Sequence, residues 1–219
     1  MNRSSKLDLL ISIYIFCVLT SEMMGGKTFA LYHGHGWNLT ASVAIFVIPV
    51  VFLITDMITE VYGRQRARAV VRYGFLTIVL LALYSALAVS LPPSARFASS
   101  EPAYTHIFGT AIRISIASLL AFAGSELLDV AIFSAIRSRL GGKALWLRTN
   151  VANILGQLAD GAIFMVLAFW DPSHSFASNA SFLWSLILPY WVLRSILAGI
   201  ETPFVYLGVR WLKSGREEA

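Results

Sequence analysis

The sequence predicts an all-α, polytopic membrane protein: one bundle of six transmembrane helices spanning residues 1–219. Three observations predict it. The chain is 57% hydrophobic and 13% charged, with a mean hydropathy of +0.70, which no soluble globular domain approaches. Its apolar residues gather into six runs, the first near the short limit and the others beyond the ~20 residues that cross a ~30 Å hydrocarbon core. The basic residues fall almost entirely at one set of run ends.

Taken in order, the first span covers residues 7–24. Arg3 and Lys6 precede it as they would a signal peptide, but no small-residue cleavage site follows and Glu22 ends the run, so an uncleaved anchor is expected. Gly25–Thr40 is a Gly- and aromatic-rich connection. The second and third spans are residues 41–62 and 69–91, followed by a Pro- and Ser-rich loop, Pro92–Phe108. The fourth, fifth and sixth spans are residues 109–136, 146–170 and 183–211.

Orientation follows from Lys and Arg. Of 17 such residues, Arg113 and Arg194 lie inside spans and Lys27 and Arg96 on one side; the other thirteen share the opposite side. Both termini are therefore expected in the cytoplasm. The pI near 9.6 is this topological signal and not a nucleic-acid surface.

Seven acids fall within spans: Glu22, Asp56, Glu60, Glu126, Asp129, Asp160 and Glu201. Each ionised group there costs several kcal/mol unless paired or hydrated. Asp56 and Glu60 are four apart and share a helix face. Counted from the basic boundary of each helix at ~1.5 Å per residue, Asp56 and Asp129 lie ~12 Å inside, and Glu201, Gln157 and Asp160 ~14 to ~18 Å inside. Asn150, Asn153, Gln157 and Asp160 form one stripe on the fifth span. Part of this polarity glues helices together, with Arg113 and Arg194 neutralising two acids. The surplus predicts a hydrated solute site built from Asp56, Glu60, Glu126, Asp129, Asn153, Gln157, Asp160 and Glu201.

Other chemistries find no residues to carry them. There is no G-x-S-x-G and no histidine on a span to act as a base, so no enzyme is expected. A Walker A pattern is missing, so the chain hydrolyses no ATP itself. Cys17 lies alone in an apolar run. His33 and His35 in HGHG lack a third ligand, and neither a metal nor a cofactor is expected. A channel would need a ring of like groups, whereas this cluster is asymmetric.

The run ITDMITEVYGRQRAR (Ile54–Arg68), with LWLRTN (Leu145–Asn150) and QLAD (Gln157–Asp160), resembles the vitamin uptake transporter family, also called queuosine precursor transporters. The likeness covers nearly all of Leu7–Trp211, and T-D-x-x-T-E-x-Y-G at Thr55–Gly63 is its most specific part. It implies six helices in the bacterial inner membrane, a fold similar to the substrate-binding components of vitamin importers, and uptake of 7-deazaguanines such as 7-cyano-7-deazaguanine for tRNA modification. Asp56, Glu60, Gly63, Gln157 and Asp160 match as motif positions, Arg148 and Asn150 more loosely.

The pocket chemistry suits such a solute. A guanine-like edge presents two N–H donors beside a carbonyl; a carboxylate takes the donors and an amide such as Gln157 or Asn153 donates to the carbonyl. Tyr14, Phe46, Phe122 and Phe164 lie on spans able to supply aromatic faces. The expected partners are the small-molecule substrate and the bilayer, with no nucleic acid. The chain works alone, as a homodimer, or with an energising partner; the last would make it the substrate-binding subunit of an ATP-driven vitamin importer for another flat solute.

Overall fold

The charges that orient the chain also fasten its ends together. In the computed structural model, which describes residues 2–34, 37–140 and 145–214 (without the side-chain surroundings of most of 126–157 and 194–202), α1 (Arg3–Met24) is capped by Asn2, whose side chain accepts from Ser5 N at 2.8 Å. One turn in, buried Lys6 donates from Nζ to Trp211 O at 2.5 Å and to Ser214 Oγ at 3.0 Å, where α6 (Phe176–Lys213) ends. The ammonium also lies 5.0 Å from the Trp211 ring centroid. A cation at this point donates to one of the last carbonyls of α6 and complements the helix dipole. Tyr62, closing α2 (Ile48–Tyr62), donates to Arg3 O at 3.1 Å. Lys6→Met is expected to lower unfolding stability in detergent by about 1–2 kcal/mol, read as a drop in melting temperature; an unchanged melting temperature would show that the tie is incidental.

The expectation of purely helical structure needs correction at Gly25–Thr40. Thr28–Gly34 (β1) and Trp37–Ser42 (β2) pair antiparallel, Thr28 opposite Ser42 and Gly34 opposite Trp37, with an irregularity between Ala30 and Tyr32. Phe29, Leu31, Tyr32, Trp37 and Leu39 favour strand, and Gly34 stands where the chain reverses. β2 packs on α6, where Ser185 Oγ donates to Thr40 Oγ1 at 3.3 Å. Ser42 then caps a 3₁₀ turn, Val43–Phe46, accepting from Ala44 N at 3.2 Å while donating to Gly25 O at 2.6 Å.

Helix bounds also differ from the expected spans. The second does not start at Ala41: α2 begins at Ile48, with Pro49 in its first turn, and its 15 residues reach only ~22 Å. The strand end and the 3₁₀ turn make up the difference. α3 (Arg64–Ser90) starts directly after Gly63, so the arginines belong to its first turns and not to a loop. α4 (Glu101–Leu140) begins eight residues before Gly109 and takes up half of the predicted loop, Tyr104 packing between Phe97 and Phe108 at 5.5 and 4.4 Å. α5 (Leu145–Phe169) matches within one residue. α6 starts seven residues before Leu183, capped by Ser175, and runs 38 residues through Pro189 and Pro203. In the preceding turn, hydrogen bonds from the Ser173 hydroxyl and amide hold the Asp171 carboxyl below the usual carboxylate range.

Helices α2 to α6 close a ring, each packing on the next and α6 returning to α2; α1 packs against α2, α3, α4 and α6. At the basic end the core is Leu7, Leu10, Ile54, Ile58, Val70 and Leu212. At the hairpin end smaller clusters join Ile114 and Ala168, and Met165, Leu183 and Leu186. Arg113 does not neutralise an acid as expected; it caps α5, donating to Leu167 O at 2.9 Å and to Trp170 O. Among the described residues, four stretches are long and apolar enough to cross a membrane: Arg3–Met24, Val43–Ser90, Glu101–Ser125 and Phe176–Leu193. The second holds both α2 and α3. The chain is a multi-pass membrane protein.

Candidate functional site

Between the two cores lies a cavity of about 240 Å³, to which all six helices and the end of β2 contribute. Helical spacing explains the lining. Tyr14, Val18 and Ser21 recur every three or four residues on α1, and Gly25 follows at its end; Ile114, Ser118 and Ala121 recur likewise on α4, and Asp160 and Phe164 or Gly161 and Met165 on α5. Val51 and Phe52 come from α2, Phe75 and Ile78 from α3, and Leu186 and Tyr190 from α6. Ala41, Ser42, Ala44 and Ile45 close the hairpin end.

Among the described residues, two carboxylates line this largely apolar space, Glu22 and Asp160. Glu22 is 4% exposed. The hydroxyls of Ser118 and Ser115 stand beside its carboxylate, yet among the described residues its Oε2 has no hydrogen-bond partner. Such a group is costly inside a protein and commonly marks a place where a ligand or water belongs. Tyr14, Phe52, Phe75, Phe164 and Tyr190 bring rings to the same walls. The volume lies just below the ~300–1,000 Å³ of sites for drug-sized ligands and suits a smaller, flat solute.

The expected site residues divide. Asp160 is on the cavity wall and half-buried. Asp56 and Glu60 do share a face of α2, but it is the exposed one; Ile54, Met57 and Ile58 carry the burial, and Phe52, one turn before Asp56, is the residue that lines the cavity. The side chains of Glu126, Asp129, Asn153, Gln157 and Glu201 lie outside the described residues. Tyr14 and Phe164 reach the cavity as aromatic walls. Phe46 does not: it is 70% exposed and stacks on Phe29 at 5.8 Å. Phe122 pairs with Phe75 at 4.2 Å behind the wall. Glu22 is the residue missing from the expected site. The available signal was its position in register with Tyr14 and Val18, eight and four residues earlier.

Comparison with known proteins gives a consistent family. The family model described as "Putative vitamin uptake transporter" matches residues 42–208. A "Probable queuosine precursor transporter" of Bacillus subtilis (strain 168) is 33% identical over 155 residues, covering 70% of this chain and 65% of the relative. Its namesake in Haemophilus influenzae is 27% identical over 157 residues, covering 70% and 62%. A "Queuosine precursor transporter" of Escherichia coli (strain K12) is 27% identical over 138 residues, covering 61% and 58%. The chain thus spans less than two thirds of the length of the curated relatives it matches. No solved structure matches it. The match over residues 42–208 takes in α2 to α5, most of α6 and the T-D-x-x-T-E-x-Y-G run, and the chain belongs to the vitamin uptake transporter family.

Proposed function

We propose that this chain is an inner-membrane importer of queuosine precursors, 7-deazaguanines such as 7-cyano-7-deazaguanine, which supply tRNA modification. The observation that carries the reading is the small, aromatic-walled cavity with Asp160 on its side, in a family whose relatives bear the name of that solute. Asp160 accepts the two N–H donors of the guanine-like edge, and Gln157, one turn away on α5, donates to the adjacent carbonyl. Tyr14 and Phe164 flank the ring faces. Asn153, Glu126, Asp129 and Glu201 supply further polar groups to the solute, whereas Asp56 and Glu60 stand on the exposed face of α2. Liposomes holding only this chain are expected to accumulate labelled 7-deazaguanine. Uptake that appears only when an ATPase is added would instead make the chain the binding subunit of a driven importer, and no uptake in either case would remove the reading.

Each of the six helices crosses once, so the two termini lie together in the cytoplasm. Support comes from the contact of Lys6 with the end of α6 and from the arginines of α3 at the same end. Ser94→Cys, in the exposed connection between α3 and α4, is expected to react with a membrane-impermeant thiol reagent in intact cells, whereas Arg66→Cys is not. Native Cys17 is 3% exposed and leaves the background low. Labelling at position 66 and protection at 94 would invert the topology.

A further inference from the structure

Among the described residues Asp160 is one of two acids in the cavity, and the other is the more completely enclosed. We infer that Glu22 is a second solute-binding carboxylate, which accepts a single N–H from the end of the flat solute opposite the edge held by Asp160. The assignment rests on the reading of the cavity as a 7-deazaguanine site and adds a specificity-determining residue to it.

Three observations carry it. First, Glu22 lines the cavity while 4% exposed, and among the described residues its Oε2 has no hydrogen-bond partner. A buried carboxylate oxygen left in that state is the expected counterpart of a donor that arrives with a ligand. Second, the acids come from two different helices. α1 packs on α2, α3, α4 and α6, and α5 packs on α4 and α6; Glu22 on α1 and Asp160 on α5 line the same cavity. A solute held at both ends lies across it, between the rings of Tyr14 and Phe164. Third, the surroundings differ in kind. Asp160 belongs to a helix with Gln157 one turn earlier, suiting an edge that mixes donors with a carbonyl. Beside Glu22 stand the hydroxyls of Ser118 and Ser115, and its Oε2 is a lone acceptor among the described residues. One free acceptor matches one donor.

A 7-deazaguanine free base has that second donor. Its five-membered ring carries an N–H at the far end from the pyrimidine edge, at the nitrogen that bears the sugar in a nucleoside. With Glu22 on it, the cavity selects flat heterocycles unsubstituted at that nitrogen, and a ring oxygen there would face the carboxylate lone pair to lone pair.

The test compares 7-deazaguanine with its furan isostere, in which the pyrrole N–H is replaced by oxygen at nearly constant shape. Binding is measured on the purified full chain in detergent. The wild type is expected to bind 7-deazaguanine roughly 10-fold or more tighter than the isostere, the scale of one hydrogen bond to a charged group. Glu22→Gln is expected to pull the ratio toward one, because its amide can turn an N–H to the ring oxygen. Glu22→Asp, which keeps the charge on a shorter stem, is expected to weaken both solutes and keep the preference, so the assignment is read even if the amide variant folds poorly. A ratio unchanged in Glu22→Gln, or a wild type indifferent to the two solutes, would overturn the role of Glu22 and leave the proposed substrate standing. A wild type that binds neither solute would remove the substrate and the assignment together.

Discussion

Asp160→Asn is expected to weaken 7-deazaguanine binding roughly 10- to 150-fold, the equivalent of about 1.5–3 kcal/mol for a hydrogen bond to a charged group. The side chain keeps its shape, but one acceptor becomes a donor and meets the solute's own N–H groups. Because Asp160 is on the cavity wall and half-buried, bulk water cannot fully replace what is lost. Gln157→Ala should cost less, since it removes one neutral donor and leaves room for water to reach the carbonyl. Binding is measured in detergent, so that defects of transport do not enter. An Asp160→Asn protein that binds normally yet loses pH-driven uptake would make Asp160 a proton carrier and not a solute ligand.

Spacing made the class, the six apolar runs and Asp160 legible, because length and helical period act within a segment. What the period could not supply was the direction in which a face points. Asp56 and Glu60 share a face because they are four apart, yet the same period serves Ile54 and Ile58, and the packing of α1, α3 and α6 chose the isoleucines for the interior. The glycine that closes the Thr55–Gly63 run is a different case. Its φ of 82° and ψ of 164° occupy a region essentially reserved for glycine, and the turn from α2 into α3 needs no further loop. The hairpin was hidden by its own composition, since glycine and aromatics together read as an irregular link when no helix-like period surrounds them. Glu22 was hidden by place. At a span end an acid looks like a boundary marker, and only the arrival of α4, with Ser115 and Ser118, turns that end into a wall.

Gly74→Ala is expected to cost about 1–3 kcal/mol of stability, the usual range for overpacking, and to lower 7-deazaguanine affinity as well. Gly74 is buried where α3 meets α1, and a Cβ there would stand 2.8 Å from the Tyr14 hydroxyl and 2.9 Å from its Cε1. Neither distance is tolerable between real atoms, so the ring or the helix must move. Tyr14 is 5% exposed and sits among Leu10, Val18 and Ile78, which leaves the cavity it lines as the open direction. The added methyl is thus transmitted as a ring pushed into the space the solute needs. Tyr14→Phe removes the nearer of the two clashing atoms, so the double variant should recover part of both losses, a coupling that a double-mutant cycle measures directly. Losses that simply add, with Tyr14→Phe giving no relief, would mean that α3 shifts as a body and that Tyr14 does not carry the effect to the cavity.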